Sequence, residues 1–152
     1  MQLITGFAVC ISLFSGVFAS PTVPDSQANI VSEAELMHWL KTTDAELTFV
    51  GEPIPGINAP EGLASRAAET TKVIYCSTRS LNVCGGRCTV YNGGPACLNA
   101  PNTNCLSATH NVAFCGAKGC NYPCTEYAHC ESPMDNGFCF TPYTNAILVG
   151  NY

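Results

Sequence analysis

Basic residues are scarce in this sequence, which has only six lysines and arginines among its 152 residues. After Thr70, four basic residues stand against three acidic ones, so this part of the chain is nearly neutral and has no cluster of positive charge. Domains that bind nucleic acid carry a basic patch or stripe, because phosphate contacts supply much of their affinity. The shortage of Lys and Arg therefore argues against nucleic acid as a partner.

The motifs of the common enzyme classes are also lacking, since the chain has no nucleophile-elbow, zinc-protease or phosphate-loop pattern. Glu126 and His129 could form an acid/base pair for phosphoryl transfer, as in small secreted ribonucleases, with Arg79 or Arg87 neutralising charge. The spacing of these residues fits solvated surface positions equally well. We therefore predict no catalytic residue, and a small secreted hydrolase stays an alternative.

Cysteine is missing between Cys10 and Cys76. Cys10 lies in an apolar run from Leu3 to Phe18, and small residues follow at the positions that a signal peptidase recognises. We predict a signal peptide over residues 1–19 and a secreted, extracellular product with no membrane partner after its removal. Cleavage also removes Cys10 and leaves an even number of cysteines, as a secreted disulfide framework requires.

Disulfides are expected to carry the fold of the C-terminal region, because a small domain buries little apolar surface and each bridge contributes about 2 to 4 kcal/mol. Bridged thiols cannot hold a metal, so we predict neither a metal site nor a cofactor. The cysteines predicted to form five disulfides are Cys76, Cys84, Cys88, Cys97, Cys105, Cys115, Cys120, Cys124, Cys130 and Cys139.

Residues 20–70 form an acidic segment that contains no cysteine. Ser32 and Glu35 have the spacing of a capping box, in which each side chain accepts a hydrogen bond from a backbone N–H of the first helical turn. The apolar residues that follow have helical spacing. These features predict a short amphipathic helix over about residues 33–41.

The rest of the acidic segment predicts one strand and a linker. ELTFV, residues 46–50, has weak alternation, and the chain over about residues 51–70 has the Pro- and Gly-rich composition of a linker. We place the domain boundary in this linker. The segment before it is either a pro-region cut near Arg66 or a permanent part of the fold.

Residues 71–152 are predicted to be a cysteine-rich domain of short strands and loops. The first strand is TKVIYC, which opens at Thr71, and the others are predicted at Thr89–Tyr91, Asn111–Cys115, Gly137–Phe140 and Ala146–Val149. Asn136-Gly137 predicts a tight hairpin turn because both residues tolerate positive φ, and Asn92-Gly93-Gly94 predicts a similar one. The predicted fold is thus a small disulfide-rich, β-rich domain preceded by an acidic segment with one short α-helix.

The cysteine spacing also raises the hypothesis of an internal repeat. In each successive set of five cysteines, three residues separate the second from the third, and the third is followed by Thr-x-Tyr, as in Cys88 to Tyr91 and Cys124 to Tyr127. Chance similarity is the alternative. If the two sets are copies, at least one disulfide must cross between them, because five cysteines cannot all pair internally.

Tyrosines are the candidate binding residues of the cysteine-rich domain, because their flat amphipathic rings can stack on sugars or anchor a protein interface. The five candidates are Tyr91, Tyr122, Tyr127, Tyr143 and Tyr152. Tyr91 and Tyr127 are the two selected as binding candidates. The alternative is that these rings cover disulfides and fill a small core.

Three stretches resemble the small secreted cysteine-rich proteins of basidiomycete fungi: AELMHWLKTTDAELTFVGEPI, CSTRSLNVCGGRCTVYNGG and CLNAPNTNCLSATHNVAFC. The resemblance covers most of the chain after the signal peptide, and the cysteine spacing is its most distinctive part. Members of that group are discussed as effectors, stress-response proteins or developmental signals. The resemblance implies an extracellular location and brings no catalytic residues with it.

We therefore expect a secreted, non-enzymatic binding protein of the effector or signalling type, whose partner is a protein or a cell-wall glycan. A cell-wall glycan-binding module that uses exposed tyrosines is the first alternative. The second is the small secreted hydrolase that relies on Glu126 and His129.

Overall fold

The computed structural model describes residues 29–62 and 70–150. These form α1 (Glu33–Thr42), β1 (Glu46–Gly51), β2 (Thr71–Ser80), β3 (Val83–Gly93), β4 (Ala96–Ala108), β5 (Val112–Cys115), β6 (Cys124–Glu126), β7 (Cys139–Val149) and three short 3-10 turns. The predicted β-rich, disulfide-rich fold with one short helix is confirmed. The predicted signal peptide, Arg66 and Tyr152 lie outside the described residues.

The strands of the described residues join one sheet in the order β1-β3-β2-β4-β7-β5-β6. All neighbouring strands are antiparallel except β1, which runs parallel to β3 with Glu46 opposite Arg87 and Gly51 opposite Asn92. The strand predicted at residues 46–50 is confirmed. It forms an edge of the sheet to which the cysteine-rich region supplies the other six strands.

Two apolar clusters lie on opposite faces of this sheet. Val73 and Ile74 are consecutive in β2 and both fully buried, yet they belong to different clusters, because successive side chains of a strand point to opposite faces. The Ile74 cluster is covered by α1, which contributes the buried side chains of Leu36, Trp39 and Leu40. The helix of the acidic segment therefore closes one face of the core.

The predicted capping box begins α1. The Glu35 N–H donates to Ser32 Oγ over 3.2 Å, and the Ser32 N–H donates to Glu35 Oε2 over 3.0 Å. Hydrogen bonds from the Ser32 side chain and backbone hold the pKa of Glu35 below its ordinary value. Farther along the helix, the Trp39 ring packs against Phe138 with 5.0 Å between ring centroids.

An ion pair ties the first turn of α1 to the sheet. Lys72 Nζ of β2 lies 2.8 Å from Glu33 Oε1 and 3.0 Å from Glu33 Oε2. The Lys72 side chain is only 8% exposed, whereas that of Glu33 is 60% exposed. The carboxylate therefore neutralises an ammonium group that the fold has largely removed from water.

All ten cysteines of the described residues are bridged, as predicted. The pairs are Cys76–Cys88, Cys84–Cys105, Cys97–Cys120, Cys115–Cys124 and Cys130–Cys139. Cys76–Cys88 and Cys115–Cys124 join neighbouring strands, Cys84–Cys105 joins β3 to β4 across β2, and the other two bridges fix the loops around β6. No bridge reaches residues 29–62, which contain no cysteine.

The repeat hypothesis has partial support from the pairing. The first and third cysteines of each set are bonded across adjacent antiparallel strands, as Cys76–Cys88 and Cys115–Cys124, with 4.0 Å between Cα atoms in both. The remaining cysteines pair differently in the two sets. Cys97–Cys120 is a bridge between the sets, as the hypothesis requires.

The two predicted glycine turns have different outcomes. Asn136 and Gly137 have φ values of 58° and 70°, and the Phe138 N–H donates to the Asp135 carbonyl, so the tight turn is confirmed. Because this turn extends to Gly137, the next strand begins at Cys139. The turn predicted at Asn92-Gly93-Gly94 is wrong, since Asn92 and Gly93 continue β3 without positive φ.

Candidate binding surface

Tyr91 and Tyr127 are not surface residues, and the prediction that they bind a ligand by exposed rings is wrong. Tyr91 is 8% exposed and Tyr127 is fully buried. The Tyr91 hydroxyl donates to the Gly94 carbonyl over 2.7 Å, and the Tyr127 hydroxyl donates to the carbonyl of Gly137. Burial raises the pKa of both phenols above the ordinary value. Both rings serve the core, as the alternative interpretation held.

Tyr122 and Tyr143 are the exposed tyrosines of the described residues. Their relative exposures are 89% and 86%. Tyr122 lies in the loop between β5 and β6, and Tyr143 lies in β7, where the backbone adopts a φ of 64°. Each is next to a proline, Pro123 or Pro142, which removes a backbone donor and favours a position outside a regular ladder.

The backbones that carry these two rings are joined through Gly116. Its N–H donates to the Pro123 carbonyl over 3.2 Å. The side-chain amide of Asn145 donates to the Gly116 carbonyl over 2.8 Å and to the Tyr143 carbonyl over 3.2 Å. These bonds place Tyr122 and Tyr143 on one end of the sheet. We call the two tyrosines, with Gly116 and Asn145, the tyrosine platform.

Two disulfides hold the loop of the platform. Cys115–Cys124 closes the base of the loop between β5 and β6, and Cys97–Cys120 fastens its middle to β4. The Asn121 side-chain amide donates to the Lys118 carbonyl over 2.9 Å within the same loop. A ring on a loop fixed in this way loses little conformational freedom when it binds a ligand.

The platform offers aromatic faces in polar surroundings. The exposed residues of the loop that carries Tyr122 include Lys118, Asn121 and Pro123, and the other large exposed apolar side chains of the described residues lie elsewhere. Those are Val50 in β1 and Leu81 and Val83 at the β2–β3 hairpin. The platform can therefore stack on a flat ligand, but it does not present a broad apolar patch.

Glu126 and His129 come together as the hydrolase alternative requires, but the arginines do not join them. His129 Nδ1 lies 3.7 Å from Glu126 Oε2, and the Asn111 side-chain amide donates to the same carboxylate oxygen over 3.0 Å. Arg79 and Arg87 belong to β2 and β3, which are separated from β6 by β4, β7 and β5. The phosphate-neutralising arginine therefore lies far across the sheet from the pair.

Arg79 is also engaged in structural contacts. Its guanidinium lies 4.1 Å from the centroid of the Phe140 ring, and its Nε donates to the Leu81 carbonyl over 2.7 Å. Residues 29–62 and 70–150 contain no group of three or more His, Cys, Asp or Glu side chains that could hold a metal ion. In the same ranges, no helix has the length and apolar character needed to cross a bilayer.

The sequence contained a usable signal for the platform. Tyr122 and Tyr143 each stand beside a proline between polar residues, whereas Tyr91 and Tyr127 follow a bridged cysteine by three positions. Distance from a bridged cysteine is not the distinguishing signal, because the exposed Tyr122 is only two positions from Cys120 and Cys124. The proline neighbours thus distinguish the exposed tyrosines from the buried ones.

Comparisons with known proteins identify no relative. No family model, no curated protein and no solved structure matches the chain.

Proposed function

We propose that this chain is a secreted, non-enzymatic binding protein of the effector or signalling type, which acts outside the cell by binding a cell-wall polysaccharide through Tyr122 and Tyr143. Its five disulfides are compatible with an oxidising extracellular setting. The resemblance to fungal small secreted proteins supports the same location.

The observation that carries the proposal is the near-complete exposure of two aromatic rings, Tyr122 on a loop fixed by two disulfides and Tyr143 in strand β7, which is hydrogen-bonded to that loop. Exposing such large rings is unfavourable in water, and fixing them keeps their orientation ready for a ligand.

A polysaccharide fits the platform better than a protein partner does. A stable protein interface buries about 800 Å² on each side around an apolar core. The platform offers two separate rings flanked by polar residues such as Asn121 and Lys118. A sugar ring needs only one aromatic face to stack on and polar groups around its edge.

Binding to insoluble chitin and β-glucan tests the proposal. The wild-type protein is expected to bind at least one of them, and the Tyr122→Ala/Tyr143→Ala double variant is expected to bind about tenfold more weakly, as for the loss of a binding hot spot. A Tyr122→Phe/Tyr143→Phe variant keeps both rings and should retain most of the binding. Leu81→Ala is the matched control, because Leu81 is 88% exposed and belongs to another hairpin.

Unchanged binding in the double alanine variant would contradict the proposal. Binding to a cell-surface protein that is lost in this variant, with no binding to either polysaccharide, would assign the platform to a protein ligand instead.

A further inference from the structure

A recess lies between β2, β3 and β4, and one of its lining residues, Thr103, pairs with Thr144 of β7, the chain neighbour of Tyr143. β2 and β4 are paired only from Val73 to Cys76, opposite Ala108 to Cys105. Beyond this point the register of β4 against β7 shifts between Asn99 and Thr103, so the strand bends out of the ladder. A groove of about 210 Å³ opens at the bend.

The groove is lined mainly by neutral hydrogen-bonding groups and by one cation. Its lining includes Tyr75, Ser77, Arg87, Thr89, Asn99 and Asn102. No carboxylate lines it. Two contacts hold the strands around it: the Asn104 side-chain amide donates to the Ser77 carbonyl over 2.6 Å, and the disulfide Cys76–Cys88 joins β2 to β3.

One wall of the groove carries an aromatic ring beside a guanidinium. Tyr75 and Thr89 are register partners in β2 and β3, so their side chains are neighbours on one face of the sheet. Arg87 lies two residues before Thr89 on the same strand, so its side chain is on the same face. Desolvation by burial raises the pKa of Tyr75, so its ring is a neutral, partly covered surface.

Arg87 is available for an anionic ligand. Among the described residues, no carboxylate lies within ion-pair distance of its guanidinium. The nearest acidic register partner is Glu46 of the edge strand β1, which is exposed and does not reach it. A guanidinium can bind a carboxylate with two parallel hydrogen bonds.

We propose that this groove binds a hexuronate, a sugar ring that carries one carboxylate, with Arg87 on the carboxylate, the Tyr75 ring against the sugar face, and the amides of Asn99 and Asn102 on its hydroxyls. The proposal does not depend on the tyrosine platform. It adds a site for an acidic sugar to a protein whose platform is proposed to bind cell-wall polysaccharide.

Size and charge select this ligand class. Pockets for drug-sized ligands occupy about 300 to 1,000 Å³, so a groove of about 210 Å³ suits a single ring. One cation balances one carboxylate, whereas a phosphate dianion would lack a second positive partner. The neutral amides and hydroxyls can exchange hydrogen bonds with sugar hydroxyls in either direction.

An amide-detected NMR titration of the full-length secreted protein tests the proposal. The probes are galacturonate, tri-galacturonate and the methyl-esterified trimer, which has the same rings without charge. We expect the two acidic probes to shift the amide signals of Arg87, Thr89 and Asn99, and the methyl ester to bind about tenfold more weakly, the loss that goes with removing a hydrogen-bonded charge.

Three variants complete the test. Arg87→Gln should remove the preference for the acidic trimer over its methyl ester, and Glu46→Gln should strengthen acidic binding by removing a nearby negative charge. Lys118→Gln is the control, because Lys118 is an exposed cation in the platform loop and should leave the preference unchanged. The urea midpoint of each variant checks that it is folded.

Equal binding of the acidic and methyl-esterified trimers would overturn the proposal. So would a preference that survives Arg87→Gln in a folded protein, the absence of binding by both acidic probes, or shifts confined to residues outside the groove. If the trimer binds and the monomer does not, the hexuronate belongs to a polysaccharide chain, and the assignment of the site stands.

Discussion

Replacing Glu33 by Gln is expected to destabilise the protein more than replacing its partner Lys72 by Met. The ammonium of Lys72 is largely buried, whereas the carboxylate of Glu33 is mostly in water. Glu33→Gln therefore leaves a buried, uncompensated charge. Lys72→Met leaves a solvated carboxylate and keeps the apolar stem in the core.

The magnitude follows from the 2.8 Å separation. At this distance, Coulomb attraction is about 1.5 kcal/mol with the dielectric constant of water and about 6 kcal/mol with an effective value near 20. The 60% exposure of Glu33 places the pair toward the weaker limit. We expect Glu33→Gln to lower the free energy of unfolding by about 1 to 2 kcal/mol, and Lys72→Met to lower it by less than about 1 kcal/mol.

Equilibrium unfolding in urea is the appropriate assay, because urea is uncharged and does not screen the pair. With an m-value near 1.5 kcal/mol/M, the midpoint for Glu33→Gln should fall by about 1 M. Asp44→Asn is the control, because Asp44 is an exposed acid between α1 and β1. Two outcomes would refute this explanation of the ion pair. One is a larger loss of stability in Lys72→Met than in Glu33→Gln, and the other is a urea midpoint of Glu33→Gln equal to that of Asp44→Asn.

Ser32→Ala removes the cap of α1 and should lower the free energy of unfolding by about 1 kcal/mol, measured by urea unfolding; no loss would mean that the capping box does not stabilise the helix. Gly137→Ala should lower the free energy of unfolding by more than about 1 kcal/mol, because φ at Gly137 is +70° and the added Cβ would lie 1.9 Å from Val31 Cγ1. A melting temperature equal to that of the wild type would contradict this expectation. Burial raises the pKa of Tyr127 above 10.0, so the folded state retains the phenol proton longer than the unfolded state does. The stability from this group is therefore complete below about pH 10 and is lost as the pH rises through the folded pKa. Circular dichroism at increasing pH should show this loss, and Tyr127→Phe should reduce its steepness; an equally steep loss in that variant would exclude Tyr127 as its source.

Local features of the fold could be predicted from the sequence, because they depend on neighbouring residues. The capping box at Ser32 and Glu35, the strand at residues 46–50 and the turn at Asn136-Gly137 are of this kind. The prediction that every cysteine from Cys76 to Cys139 is bridged also followed from the sequence, because their number is even and a secretory signal was predicted. Their connectivity did not, since ten cysteines allow roughly nine hundred pairings.

Long-range features were not predictable from one sequence. Nothing local specifies that β1 lies parallel to β3, or that Glu33 meets Lys72 across 39 positions. The failed turn at Asn92 has the same origin. Its side chain donates to the carbonyls of Glu52 and Pro53, and these distant contacts hold Asn92 in the strand.

For the tyrosine platform, the sequence indicated the type of residue, tyrosine, but not the positions Tyr122 and Tyr143. Apart from the proline neighbours, the sequence does not distinguish exposed tyrosines from Tyr91 and Tyr127, whose burial depends on how β3 and the segment after β6 pack. The exposed pair owes its position to the Gly116 hydrogen bonds and to the Cys97–Cys120 bridge, which connect parts of the chain that are distant in sequence.

The lack of any disulfide to residues 29–62 has a consequence for proteolysis. A single peptide-bond cut between residues 62 and 70 would convert the protein into a heterodimer whose smaller chain is retained by non-covalent contacts, among them the helix packing, the β1–β3 ladder and the Lys72–Glu33 pair. The two chains would migrate together in a native gel and separate in detergent even without a reducing agent. Departure of the smaller chain would leave the main-chain groups of β3 that face β1 without hydrogen-bonding partners. An unpaired strand edge is a surface to which another extended peptide can add.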